Sequence, residues 1–143
     1  MANAKKQYWL LKTEPETFSF SELMKTGKTN WNDVRNYQAR NFLKQVKKGD
    51  LALIYHSGDE KAVVGVAICV REHYRDFNPK EDKETDDWVQ VDLKPVRALS
   101  MPVTLKEIKA SQELSKMMLV KQSRLSVMPV EKAHFDFIMS GQD

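Results

Sequence analysis

Cysteine is nearly absent: Cys69 is the single one among 143 residues. An internal disulfide is therefore impossible, a zinc site built on several cysteines is excluded, and a reducing compartment fits. Excess charge is also scarce. Lys and Arg number 23 against 20 Asp and Glu, a formal net charge of +3. That total is too small to establish nucleic-acid binding, so the placement of charge carries more information. No apolar run is long enough to span a membrane, and the opening Met-Ala-Asn-Ala-Lys-Lys is too polar for a secretory signal. A cytoplasmic protein is expected, nuclear if its source has a nucleus. His56, His73 and His134 fall in separate elements, so none has a partner at ligand spacing and no metal site is expected. The chain has no Gly-x-Ser-x-Gly nucleophile motif and no phosphate loop. It also shows no internal repeat and no dividing linker.

What is present suits a soluble core-forming chain. The 41% hydrophobic content supplies a core and the 30% charged content a soluble surface. The length suggests one compact domain over residues 1–143, expected as a monomer. Tyr8–Leu11 reads as a short buried strand ending at Lys12, before Pro15. Ser19 or Ser21 caps a short helix through about Met24, with Gly27 ending it. The spacing of Ala39, Phe42, Leu43 and Val46 predicts a helix from about Tyr37 to Lys47, stopped by Gly49-Asp50. Residues 51–57, 62–74 and 88–99 read as strands, with an acidic loop at 81–87. A short helix over 102–109 carries a capping box from Thr104 to Glu107. Ser123–Pro129 reads as irregular or extended, and Glu131–Met139 as a closing helix ending near Gly141. Few strands and several short helices predict an α+β domain with a partly closed, strongly curved β-barrel.

The stretch Trp31–Asn41 concentrates planar polar groups: Trp31, Tyr37, two arginines, three asparagines and a glutamine. Such side chains stack on flat rings and hydrogen-bond base edges or phosphates. Trp31 sits among polar neighbours, outside any apolar period; it is either a pocket wall or a cover for one end of the core. Trp9 and Trp88 lie inside strands and read first as core, with Trp9 the better second pocket wall because it adjoins Lys12-Thr13. At a strand end, Tyr55 can stack and His56 and Ser57 can bond a base edge. Arg35 and Asn36 open the second helix, where an anion is favoured, although Asn36 equally suits a cap. Arg40, Lys44, Lys47 and Lys48 form one basic stripe, either a solvated face or a phosphate contact. Ser123, Arg124 and Ser126 bring two hydroxyls and a guanidinium into an irregular stretch, which either closes the pocket with Arg124 reaching a phosphate or is a loop tied down by Leu125 and Val127. Met117, Met118 and Met128 read as core fillers.

Several segments together resemble the EVE domain family of PUA-like folds. Tyr8–Pro15 looks like its opening strand and turn, Asn30–Asn41 like its central signature, and Lys48–Ser57 like the strand that follows. Gly65, Trp88, Pro102–Leu105 and Ser123–Pro129 extend the match, in order, over nearly the whole chain. Thr13 stands where serine is common, and Asn32-Asp33 replaces an Asp-Gly-like turn. Family members are similar to YTH domains, which hold a methylated base in an aromatic cage. The resemblance therefore implies a reader of DNA or RNA carrying a modified base, modified cytosine favoured, without a cofactor or enzymatic step. The expected base pocket is Trp9, Lys12, Thr13, Trp31, Val34, Arg35, Asn36, Tyr55, His56, Ser57, Arg124, Leu125 and Ser126, with phosphates on Arg40, Lys44, Lys47 and Lys48. Alternatives are an RNA-binding module indifferent to modification, a nucleotide- or RNA-processing enzyme using His56, and a small-ligand sensor.

Overall fold

A computed structural model describes residues 6–142; the polar opening segment, residues 1–5, lies outside the described residues. The elements run β1 (Tyr8–Thr13), α1 (Phe20–Thr26), β2 (Thr29–Trp31), α2 (Tyr37–Leu43), β3 (Leu51–His56), β4 (Ala62–Arg75), β5 (Val89–Thr104), α3 (Leu105–Ala110), α4 (Met118–Lys121), β6 (Val127–Val130) and α5 (Lys132–Ser140). All six strands join one mixed sheet in the order β2-β5-β4-β3-β1-β6. β1 and β3 are parallel, which brings Thr13 and His56 to the same rim; the other pairs are antiparallel.

Local chemistry sets the short helices. The Ser19 hydroxyl accepts the Glu22 N–H at 3.1 Å, and Gly27 closes α1 with φ 77°, a left-handed value that costs glycine little. Asn36 Oδ1 caps α2 by accepting the Ala39 N–H at 2.9 Å. Thr104 and Glu107 form the expected capping box on α3. α2 ends at Leu43, short of Lys47, because its last turn tightens: the Gln45 and Val46 amides bond Phe42 and Leu43, three residues back. Asp50 then holds the Lys47 N–H at 2.8 Å and the Trp9 indole N–H at 3.0 Å. β5 runs on to Thr104, beyond the expected end at Leu99. Pro95 and Pro102 are tolerated within it because both fall where its register with β4 slips.

The sheet is bent. In a flat sheet β1 and β2, four places apart, would be separated by about 19 Å. Yet both line one cavity of about 410 Å³, so the sheet curls until they approach across its concave side. Register shifts in the β3–β4 and β4–β5 ladders supply the bend. The expected α+β domain with a strongly curved sheet is present, and its closure stays incomplete: the sheet is not closed. β2 has three residues and β6 four, one of them Pro129, and the two remain opposite edges. Side chains plug the concavity instead. Phe20 lies directly over Gly65, whose missing Cβ would come within 2.5 Å of its ring. Met117 and Met128 are buried and Met118 packs on the core.

Candidate nucleic-acid interface

The 410 Å³ cavity opens where β1 runs into the loop before α1 and where β2 ends. Lys12, Thr13, Glu14, Thr17 and Phe18 line one side, and Thr29 to Asp33 the other. Trp31, 7% exposed, makes the back wall, and the Phe18 ring meets it nearly perpendicularly, at 82° and 6.2 Å. The two rings meet at a corner, and Trp31 belongs at the same time to the hydrophobic core. Among the described residues, the Trp31 indole N–H has no acceptor. Among the described residues no sealed side-chain nitrogen or oxygen lacks a partner, so this N–H is accessible to solvent. The Thr13 hydroxyl instead donates to the Phe18 carbonyl at 2.8 Å and ties the loop shut. The Glu14 and Asp33 carboxylates are exposed at the mouth.

Lys12 stands between this cavity and a second one. Its ammonium donates to the Ser123 carbonyl at 2.7 Å and lies 5.5 Å from the centre of the Tyr55 ring. Burial lowers its pKa below the usual lysine value. The second cavity, about 310 Å³, is lined by Asn36, Gln38, Lys121, Gln122, Ser123, Arg124 and Leu125. Lys121 and Arg124 are exposed there, and among the described residues neither has an acidic partner.

Of the residues expected in one pocket, Lys12, Thr13 and Trp31 line the first cavity, and Asn36, Arg124 and Leu125 the second. The rest fall elsewhere. Trp9 is 2% exposed, packs toward Phe42 at 6.3 Å and spends its N–H on Asp50, so it is a core residue rather than a second wall. Val34 and Tyr55 are buried in the core, and burial raises the Tyr55 pKa. Ser57 and Ser126 lie at the rim but serve through backbone: the Ser57 N–H bonds Thr13, and the Ser126 carbonyl accepts from Lys12.

His56 also departs from its expected place. Its Nε2 accepts the buried Phe20 N–H at 3.0 Å, and its Nδ1 meets Glu60 Oε1 at 2.7 Å. The first bond makes Nε2 an acceptor, which puts the proton on Nδ1. Both ring nitrogens are engaged, leaving none for a base edge or for the acid–base role of the enzymatic alternative. Arg35 likewise turns away. It grips Asp82 with two nitrogens, at 3.2 and 2.9 Å, and Asp76 at 2.9 Å, anchoring the acidic loop between β4 and β5. The end of α2 offers no anion site, since the helix has seven residues and Asn36 already caps it.

The basic stripe is largely neutralised within the fold. Lys44 pairs with Asp87, and Lys47 lies 3.8 Å from Glu72. Glu72 also takes the Lys48 N–H, at 3.1 Å. Arg40 bonds Asn41 and covers the rings of Tyr37 and Trp88. None of the four lines the Trp31 cavity. Lys44 thus holds the acidic loop, while Lys47 and Lys48 lie against Glu72 of β4.

Several lining residues were not anticipated from sequence. Glu14 carried a signal, since it stands beside Lys12-Thr13 in the opening motif. Gln38 carried one too, as the glutamine of the planar polar stretch, whereas Phe18 and Lys121 carried none, because their position depends on how loops cross the sheet.

The EVE domain model matches residues 7–141. The chain belongs to the EVE domain family. This EVE domain is 37% identical to thymocyte nuclear protein 1 of Gallus gallus, over 93% of the chain and 67% of the relative. A hypothetical protein from Leishmania major has the same fold, with a TM-score of 0.89 and 40% identity, covering 96% of this chain and 94% of the other. The human THYN1 protein, solved in complex with DNA containing 5-methylcytosine, gives a TM-score of 0.87 and 32% identity over 94% and 96% of the two chains.

Within this EVE domain the Asn32-Asp33 departure has a local explanation. Asp33 has φ 64°, the left-handed conformation a glycine adopts most easily and aspartate tolerates better than most. Its N–H bonds Asp76 at 2.9 Å, which fixes the turn against the acidic loop. The departure also places a carboxylate at the mouth of the cavity.

Proposed function

We propose that the protein is a nonenzymatic reader of nucleic acid that holds a 5-methylcytosine base in the Trp31 cavity. The observation that carries the reading is the composition of that cavity. Two aromatic rings set nearly perpendicular, an indole N–H without a partner among the described residues and the exposed carboxylates of Glu14 and Asp33 belong to the residues around a space of about 410 Å³. This lies in the size range of small-ligand sites. The human relative's complex with 5-methylcytosine DNA supports the same class of ligand.

Each group has a task in this reading. The base stacks on Trp31, which contributes about 1–3 kcal/mol. The Phe18 edge borders the 5-methyl group and adds apolar contact. The exocyclic N4 amine of cytosine is a donor, and a carboxylate is the side chain that accepts from it. Glu14 or Asp33 fills that role, while the Trp31 N–H and Lys12 supply donors for the acceptor positions. Taking the base from a duplex costs a few kcal/mol of unstacking, offset by these contacts.

The test is binding of methylated and unmodified oligonucleotides to Trp31→Ala. Trp31 is also part of the buried core, so the variant should lose stability. At temperatures where thermal melts show it folded, it should have lost about 1–3 kcal/mol of affinity for the methylated strand and most of its discrimination. A stable variant that binds both strands as before would place the base elsewhere. Turnover of the oligonucleotide by the wild type would replace the reader with an enzyme.

A further inference from the structure

Tyr37 is 65% exposed, yet its ring is not loose. It stacks on Trp88 with centroids 5.2 Å apart and planes 24° from parallel. The Arg40 guanidinium lies 5.2 Å from the Tyr37 centroid and 5.7 Å from that of Trp88. Arg40 is in turn fixed by Asn41, through two bonds at 3.1 and 2.9 Å. Arg35, 5.5 Å from the Trp88 centroid, is locked by Asp76 and Asp82. Trp88 is buried but stands apart from the main core. The ring of Tyr37 is therefore held in one orientation, backed on one face and open on the other.

A solvated ring needs no such backing, and a large exposed aromatic gains nothing for stability from its open face. The neighbouring chemistry indicates what covers it. Asn36 and Gln38, on either side of Tyr37 in the chain, both line the 310 Å³ cavity that holds Lys121 and Arg124. Those two cations lack acidic partners among the described residues, whereas Lys44 and Lys47 have them. Asn36 uses its Oδ1 on the helix cap and keeps its amide hydrogens. A rigid open ring whose two chain neighbours line an unneutralised cationic cleft with amide donors has the composition of a single-strand platform: stacking for a base, charge for its phosphate.

We propose that Tyr37 stacks an unpaired base adjacent in the strand to the one held by Trp31, and that the Lys121–Arg124 cleft takes the phosphate of that segment. The inference rests on the base-reader reading, but the two make different demands. Discrimination between methylated and unmodified strands belongs to the Trp31 cavity. The Tyr37 station adds affinity without reading the modification, because every base has a flat face.

The test uses single-stranded DNA with one central 5-methylcytosine, the same strand unmodified, and the methylated strand with an abasic residue on either side of the modified position. Tyr37→Ala should weaken binding of both intact strands about tenfold, within the range for one stacked base, and leave their ratio unchanged. Tyr37→Phe and Tyr37→Trp should bind like wild type. Tyr37→Leu, apolar but not flat, should behave like Tyr37→Ala. One abasic neighbour should cost the wild type as much as Tyr37→Ala does, and cost that variant nothing more. Lys121→Gln with Arg124→Gln should flatten the salt dependence, while Lys44→Gln with Lys47→Gln should not. Thermal melts confirm that each variant is folded. Unchanged affinity in folded Tyr37→Ala, or an abasic penalty that persists in it, overturns the inference and leaves the Trp31 reading standing. A failure of Trp31→Ala to alter discrimination, with Tyr37 behaving as described, overturns the base-reader reading instead.

Discussion

His56 Nε2 accepts the backbone N–H of Phe20 at 3.0 Å, joining the end of β3 to the first turn of α1. The N–H is buried, so removing its acceptor leaves a desolvated donor. His56→Ala should lower stability by about 1–3 kcal/mol, measured by urea unfolding. At temperatures where the variant is folded, its preference for methylated over unmodified DNA should match the wild type. Lost preference with unchanged stability would return His56 to the binding site.

The same segment carries a packing constraint. Gly65 lies under the Phe20 ring, and an added Cβ would approach three of its atoms at 2.5–2.6 Å. Both residues are buried, so neither can move aside freely. Gly65→Ala should cost about 1–3 kcal/mol through overpacking. Combining it with Phe20→Leu should recover part of that loss, because the smaller side chain vacates the collision. A double-mutant cycle on chemical denaturation would show the coupling. Purely additive effects would mean that the strain is relieved elsewhere.

The acidic loop makes part of the stability depend on pH. The Lys44 ammonium holds the Asp87 carboxyl below its ordinary value of 3.8. The Asn78 N–H, followed by Arg35, does the same for Asp82. Because the folded pKa values are depressed, the stabilisation is complete above the ordinary value and is lost as pH falls through the folded values. Asp82→Asn with Asp87→Asn should therefore reduce Tm near neutral pH. The gap from wild type should close as the pH drops below about 3.8. A gap of constant size down to strongly acid solution would show that these ion pairs contribute nothing.

Local signals in the sequence translated well into structure because capping and turn formation involve residues within four positions. Ser19, Gly27, Asn36 and the Thr104–Glu107 pair needed nothing from the rest of the chain. β2 was not legible, since three residues carry no period and exist as a strand only through pairing with β5. The bend of the sheet and its incomplete closure were anticipated, but the positions of the register slips and the identity of the edge strands were not, because they are set by long-range pairing. The same division runs through the candidate site. Lys12, Thr13 and Trp31 share a cavity as their motifs suggested. Trp9 and His56 carry equally suggestive chemistry, yet Asp50 and the Phe20 amide claim their polar atoms. Sequence displays what a side chain can bond, whereas only the fold decides which partner reaches it first.

That distinction sharpens the choice of ligand at the Trp31 cavity. Thymine carries the same 5-methyl group as 5-methylcytosine, so a pocket that sensed only the methyl would accept both. The two differ at C4, where cytosine has an amine donor and thymine an oxygen acceptor. A carboxylate accepts from the first and repels the second. Glu14 and Asp33 are the carboxylates lining the cavity. The wild type should therefore reject a strand in which thymine replaces the 5-methylcytosine, by about 1–3 kcal/mol. Replacing the responsible residue by its amide, Glu14→Gln or Asp33→Asn, should relax that rejection, because an amide can turn its N–H toward O4 while its oxygen still accepts from N4. Only one of the two variants should do so, and competition binding with both strands identifies it. If neither variant changes the ratio of 5-methylcytosine to thymine binding, C4 does not face this rim, and the orientation of the base on Trp31 must be reversed.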